Sequence, residues 1–294
     1  AFVRTVDGKG QVFIISLDGG EAVQLTRSKY GAGSPKWSPD GKKIVYSCSV
    51  PMRELLKDSM LNPSRSVPIW SLEKPGFYKN EQLHYATTKA DPDGSMEEVR
   101  AYLENNTLDK KARVITKLNF QDEMEVNSEM NFTHFFVIEA KPEAKPVPIT
   151  SGFFRFNSVD FTPNGEAYII SANMDSVNHP DRSQGSEIYT AQVTGGDWIL
   201  LLGEKGMNFS SPRISPESGT WIAYLYNKVG DGLNIPKLAF SPMIAEAGTL
   251  KNRIDIDIDR NVSNITWSED EKYLYFSAQS NGGQPVYRAR SEEH

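Results

Sequence analysis

SPKWSPDGKKIVYSC, residues 34–48, is the stretch that decides the fold. Pro39, Asp40 and Gly41 form a turn signal. Proline presets φ, aspartate bonds its own backbone, and glycine supplies the positive φ that a tight turn needs. Ile44, Val45, Tyr46, Ser47 and Cys48 follow as a short run rich in β-branched and aromatic residues, the composition of a strand between turns. Trp37 closes the segment before the turn. The unit is strand, tight turn, strand.

The unit recurs as FTPNGEAYIISA (161–172), ISPESGTWIAYL (214–225) and WSEDEKYLYFSA (267–278). With Trp37, Phe161, Ile214 and Trp267 aligned, the intervals are 124, 53 and 53 residues. Several short strands repeated at about 40–50 residues are the signature of a β-propeller blade. A second phrase alternates with the first: QVFIISLDGGEAVQLT (11–26), THFFVIEAKPEAKPVPIT (133–150), SEIYTAQVTGGDWILLLG (186–203) and the opening QPVYRAR (284–290). Each is an apolar strand, a polar turn and a second strand. One blade is therefore two hairpins, and its two faces are buried only by its neighbours. The expected fold is all-β, a β-propeller of four-stranded blades. About five are visible, around 11–48, 110–172, 186–225 and 236–278, with a partial one split between an insertion and the chain ends. Seven or so are expected in the intact domain.

Residues 49–109 break the rhythm and are read as a partly helical insertion between blades. PMRELLKDSM (51–60) reads as a short helix, and the proline-rich LNPSRSVPIWSLEKPGFYKN (61–80) as an extended connector. EQLHYATTKADPDG (81–94) reads as a strand pair. In SMEEVRAYLENN (95–106), Ser95 and Glu98 have the spacing of a capping box. RVITKLNF (113–120) reads as the next strand.

Bulk properties exclude several functions. A net charge of -6 on 294 residues argues against a nucleic-acid face, which needs clustered Lys and Arg. No apolar run approaches the roughly 18 residues of a membrane helix. AFVRTVDGKG carries no basic-then-apolar leader. Cys48 is the single cysteine, which rules out an intrachain disulfide, and its place at a strand end reads as a buried structural thiol. His84, His134, His179 and His294 lack metal-ligand spacing, so no metal or cofactor site is predicted. His134 opens a strand and reads as structural; His179 sits in a polar loop that can face another domain. Asp255, Asp257 and Asp259 alternate with Ile254, Ile256 and Ile258. They read as the solvated face of a strand rather than a calcium loop, because the glycine and glutamate of an EF-hand are missing. The sequons at Asn105, Asn131, Asn208, Asn261 and Asn264 are read as chance.

The order WSPDGKKIVYS (37–47), insertion, RVITKLNF, THFFVIE (133–139) resembles the propeller of the prolyl-oligopeptidase superfamily of serine peptidases, in its acylaminoacyl-peptidase and dipeptidyl-peptidase branch. There an Arg-Val-Ile-Thr strand and a His-Leu-Phe-Val strand open a middle blade; here these are residues 113–116 and 134–137. The Ser-Pro-Asp-Gly blade alone is also shared by TolB-type periplasmic proteins. The resemblance runs from about residue 10 to 290. Three of the four turns depart from the pattern, at 162–165, 215–219 and 268–271.

The resemblance implies a C-terminal α/β-hydrolase domain with a G-x-S-x-G elbow and a Ser-Asp-His triad. No G-x-S-x-G occurs here. Residues 1–294 are therefore expected to form a single propeller domain, a fragment of a larger peptidase that is inert alone and carries no catalytic residue. It would cap and gate the active site of a serine exopeptidase, with the hydrolase domain and short peptides as partners. The rival is a stand-alone TolB-like propeller serving as a protein- or ligand-binding module. A propeller lyase for acidic sugars would want a His and Arg cluster, which the scattered histidines do not supply. Dipeptidyl-peptidases anchor the substrate amine with a glutamate pair, but the helix start accounts for Glu97 and Glu98. An open ring of blades exposes strand edges, so a homo-oligomer is expected. The compartment is bacterial periplasm or cytoplasm, with the periplasm preferred.

Overall fold

Each aligned residue of the repeat ends a strand. The computed structural model describes residues 1–70, 89–105, 117, 121, 129–230, 235–243 and 253–290. Trp37 ends β4 (Gly33–Trp37), Phe161 ends β8 (Arg155–Phe161), Ile214 ends β12 (Met207–Ile214) and Trp267 ends β16 (Val262–Trp267). The run after each turn forms the second strand: β5 (Lys43–Pro51), β9 (Ala167–Asn173), β13 (Trp221–Lys228) and β17 (Tyr273–Ala278). The second phrase supplies the third strands β6 (Asn131–Glu139), β10 (Glu187–Gln192) and β18 (Val286–Arg290), and β14 (Lys237–Pro242), which no copy of the phrase covers, is the third strand of its sheet. The phrase also supplies the fourth strands β7 (Val147–Pro148) and β11 (Ile199–Leu202), while β15 (Ile254–Ile256) is the fourth strand beside β14. At the N-terminal end, β1 (Phe2–Val6), β2 (Lys9–Ile14) and β3 (Val23–Gln24) make a further sheet. The described residues thus form five antiparallel sheets, three four-stranded and two three-stranded, each blade-like.

The phase of the blades differs from the expectation. Residues 11–48 do not share a sheet, and neither do 186–225 or 236–278, because each second phrase pairs with the first phrase before it. β9 and β10 pair from Ala167↔Gln192 to Ala172↔Glu187, while β11 and β12 belong to different sheets. The insertion is corrected in the same way. β5 pairs with β6 from Lys43↔Glu139 to Pro51↔Asn131, so residues 52–130 interrupt one blade instead of separating two. Both corrections have one cause. Both hairpins share one strand–turn–strand pattern, which does not say to which neighbour each bonds.

Alternation divides the core. Tyr46 and Ile44 pack toward the first sheet with Val12, while Val45 between them packs toward the third with Ile170. Ile169 meets Tyr224 of the fourth sheet, and Ala223 meets Trp267 of the fifth. Successive side chains of a strand point to opposite faces, so each middle strand feeds two interfaces at once. All of β9 is buried for this reason.

Every first strand carries a register shift near the same place, between Gly33 and Lys36, Phe156 and Ser158, Ser210 and Arg213, and Ser263 and Thr266. In three of them the residue three before the aligned position has positive φ: Ser34, Ser211 and Asn264. Such bulges bend the strand and re-aim the side chains beyond it.

Two of the three turns that looked degenerate keep the physical core of the first. Ser38 Oγ donates to Asp40 Oδ1 at 2.6 Å and accepts from Lys43 N at 2.9 Å. Thr162 with Asn164, and Ser268 with Asp270, repeat this clasp at 2.7 Å. The hydroxyl two residues before a carboxylate or amide defines the turn; proline and glycine are optional around it. Glu271 stands where Gly41 stands in the first repeat, and its Oε1 accepts from Glu217 N and Ser218 N at 2.7 and 2.6 Å, tying the fifth sheet to the fourth. Ser38→Ala is expected to lower stability by about 1 kcal/mol, the usual worth of such a bond. The midpoint of urea unfolding reads this, and an unchanged midpoint would refute the clasp.

The start of the insertion is tightly seated. Helix α1 (Met52–Lys57) buries Met52, Leu55 and Leu56 in the cluster that the second sheet shares with Val12 of the first. Leu61 O accepts from Gly152 N at 2.8 Å. Trp70, buried, meets the ring of His179 edge-on at 4.7 Å between centroids. The insertion therefore crosses to the β9–β10 connection of the next blade. Helix α2 (Met96–Asn105) has the expected capping box, with Ser95 N donating to Glu98 Oε2 at 2.7 Å. RVITKLNF lies, but for Lys117, outside the described residues, as does most of EQLHYATTKADPDG. No helix among the described residues is long and apolar enough to cross a membrane.

Candidate functional site

The first strands of neighbouring sheets meet, and a line of charge joins them. The residue just before each aligned position is Lys36 in β4, Asp160 in β8, Arg213 in β12 and Thr266 in β16. Lys36 Nζ lies 2.9 Å from Asp160 Oδ2, and Arg213 lies 3.6 Å from the same oxygen. Arg213 Nε also donates to Ile265 O at 3.1 Å, and Trp267 Nε1 donates to Arg213 O at 3.0 Å. Four sheets are linked in series, the first three through equivalent positions of the repeat and the last through Ile265 and Trp267 on either side of Thr266.

The three charged side chains are 27–31% exposed. They are shielded enough for their fields to matter and open enough to meet a partner. Partial burial pulls the Lys36 ammonium below its ordinary pKa, and Asp160 pulls it back. Two cations share one carboxylate, which leaves a net positive charge where the first strands converge. None of the three was singled out from the sequence. The signal was present nonetheless, as a charged residue at the same offset in three repeats.

The sequence-predicted residues lie elsewhere. Cys48 is buried, with its thiol donating to Gly31 O at 2.9 Å, and burial pushes its pKa up to about 11. That thiol is no nucleophile at neutral pH. His134 is fully buried, and its Nδ1 lies 3.2 Å from Thr150 Oγ1. This hydroxyl–imidazole contact is sealed in the core, out of reach of substrate. His179 Nδ1 accepts from Asp181 N at 3.2 Å while its ring packs on Trp70. His84 and His294 lie outside the described residues.

Of the alternating aspartates, only Asp255 lies in a strand, since β15 ends at Ile256. Asp255 accepts from the Tyr226 hydroxyl at 3.0 Å and pairs with Arg253 at 2.7 Å; Asp259 pairs with Arg260 at 2.8 Å. Glu98 is consumed by the helix cap, and Glu97 sits beside it in the first turn of α2. Asn208 is bonded to Ser186 and Asn227.

No family model matches the chain. One stretch of 59 residues, 20% of the chain, is 41% identical to "Uncharacterized peptidase YuxL" of Bacillus subtilis (strain 168) and covers 9% of that protein. Among solved structures, TolB from Acinetobacter baumannii superposes with a TM-score of 0.52 at 14% identity, over 99% of this chain and 48% of that one. A putative TolB from Agrobacterium tumefaciens gives a TM-score of 0.48 at 13% identity, over 92% of this chain and 62% of that one. The chain thus spans less than two thirds of each of these proteins. The first superposition shows a shared propeller fold.

Proposed function

We propose that this chain is a propeller-type binding module that engages a protein or ligand through the edge where its first strands converge. The observation that carries this reading is the Lys36–Asp160–Arg213 line, partly exposed and with an excess of positive charge. A carboxylate is the complementary group, because Lys and Arg donors form strong charge-assisted bonds to it. The test is calorimetric titration with one short peptide as free acid and as C-terminal amide. The acid is expected to bind and the amide to bind at least tenfold more weakly, with Lys36→Gln erasing the difference. Equal binding of acid and amide would overturn the reading.

A second reading is supported by the 59-residue match to a peptidase. In it, residues 1–294 form one propeller domain that caps an α/β-hydrolase domain of the same protein and gates short peptides to a serine triad outside these residues. Its compartment would be the periplasm, or else the cytoplasm. One measurement tests the second reading against the first, and another tests both. The second reading requires a natural product of roughly twice 32.9 kDa, which leaves room for one more domain, and a smaller product would refute it. A fluorophosphonate probe should leave the 294-residue chain unlabelled, and labelling would refute both readings.

A further inference from the structure

The positions of the repeat that seal three blade interfaces are open in the fifth sheet. At each turn the backbone N–H of Ser38, Thr162, Ser215 or Ser268 donates to the carbonyl oxygen of Lys43, Ala167, Trp221 or Tyr273, so these last four residues are equivalent. Two residues further on stand Val45, Ile169, Ala223 and Tyr275. The first three are at most 1% exposed and pack toward the next sheet in the chain. Tyr275 is only partly buried. The cross-strand partners diverge in the same way. Val137, Thr190 and Phe240 are replaced by Arg288, and the buried Phe135, Ile188 and Leu238 by Val286, which is 69% exposed.

Leu274, Phe276, Tyr287 and Ala289 pack against the fourth sheet. Alternation turns Tyr273, Tyr275, Val286, Arg288 and Arg290 to the opposite face. That face is aromatic and cationic, and none of the side chains that β17 and β18 direct to it is a carboxylate. Arg288 is exposed and, among the described residues, is in no ion pair. Its guanidinium stands 4.8 Å from the centroid of the Tyr273 ring, and that of Arg290 stands 6.0 Å from the same centroid. The Tyr273 and Tyr275 rings lie side by side, 6.3 Å apart.

The other interfaces between sheets are lined by apolar side chains. Such a lining laid on this face would bury the Arg288 guanidinium without an anion, which is strongly unfavourable. An occupant that fits brings carboxylates. We propose that this face docks an extended acidic segment of a partner protein, lying along β18. Arg288 and Arg290 are two residues apart on one strand, about 7 Å, and a segment with a carboxylate at every second residue repeats that spacing. Each guanidinium then donates to a carboxylate in a charge-assisted bond. The tyrosines add flat amphipathic area, and Tyr and Arg are the residues on which protein interfaces concentrate their binding energy. A nucleic-acid backbone is the poorer match, because two cations are few for it and the chain's net charge is -6. This face shares no residue with the Lys36–Asp160–Arg213 line, so either site can fail without the other.

The test is fluorescence anisotropy on the whole chain at low salt. The probe is a labelled, end-blocked peptide of alternating glutamate and threonine; the controls are its glutamine counterpart and a short oligothymidine. The acidic peptide is expected to bind at least tenfold more tightly than either control. Arg288→Gln, changed at an exposed side chain, is expected to lose about tenfold in affinity for it. Tyr275→Thr is expected to lose a few-fold. Equal binding of the two peptides, tighter binding of the oligonucleotide, an unaffected Arg288→Gln, or no binding of the acidic peptide at millimolar concentration would each overturn the proposal. So would self-association of the chain that Arg288→Gln abolishes, since the occupant would then be a second copy.

Discussion

Between neutral pH and pH 5 the protein is expected to lose about 2 kcal/mol of stability through one imidazole, rising to about 3 kcal/mol at pH 4. His134 is fully buried, and burial lowers its pKa from 6.5 to about 4, against smaller opposing effects from Thr150 and the Asp58 charge. Among the described residues its Nε2 has no hydrogen-bond partner, and Phe156 packs 5.7 Å from its ring. The folded state therefore holds the ring neutral, while the unfolded chain protonates it near 6.5. The stability is complete above that value and drains away as pH falls toward 4. His134→Leu removes the titration and keeps a similar volume. Urea unfolding of both proteins at pH 7.5, 6, 5 and 4.5 measures the difference, in which the other carboxylates cancel. Parallel pH curves for the two proteins would refute the assignment.

Asp160→Asn is expected to cost about 1–3 kcal/mol, between the small worth of an exposed pair and the several kcal/mol of a broken buried one. The intermediate value follows from side chains that are about a third exposed. The substitution leaves Lys36 and Arg213 facing each other across the first strands with no shared anion. A double-mutant cycle with Lys36→Gln isolates the pair, and its coupling is expected near 1 kcal/mol, weaker in high salt. A coupling within about 0.3 kcal/mol of zero would mean that the line of charge neither joins the sheets nor holds a shielded field for a partner.

How far the sequence could be read depended on whether the signal was local. Trp37, Phe161 and Trp267 end equivalent strands because a clasp between a hydroxyl and the carboxylate or amide two residues later sets each of their turns, while after Ile214 the Ser215 hydroxyl meets that of Ser218 instead. The capping box at Ser95 and Glu98 is equally local. The candidate site was not legible in this way. Lys36, Asp160 and Arg213 lie far apart in the chain, and only the packing of first strands against one another brings them within 4 Å. The role of Glu271 was hidden for the same reason: its partners are the backbone groups of another blade.

By itself, the sequence determined that this chain is all-β, that its strands come in hairpins with a 53-residue period, and where those strands turn. Turn chemistry and alternation act over a few residues, so they are written in the order of the letters. Tertiary structure alone decided which hairpins share a sheet, that residues 52–130 leave and re-enter one blade, and which charges meet. Those outcomes depend on hydrogen bonds and burial between segments whose patterns are interchangeable. The choice among them is made only when both faces of every middle strand are buried together.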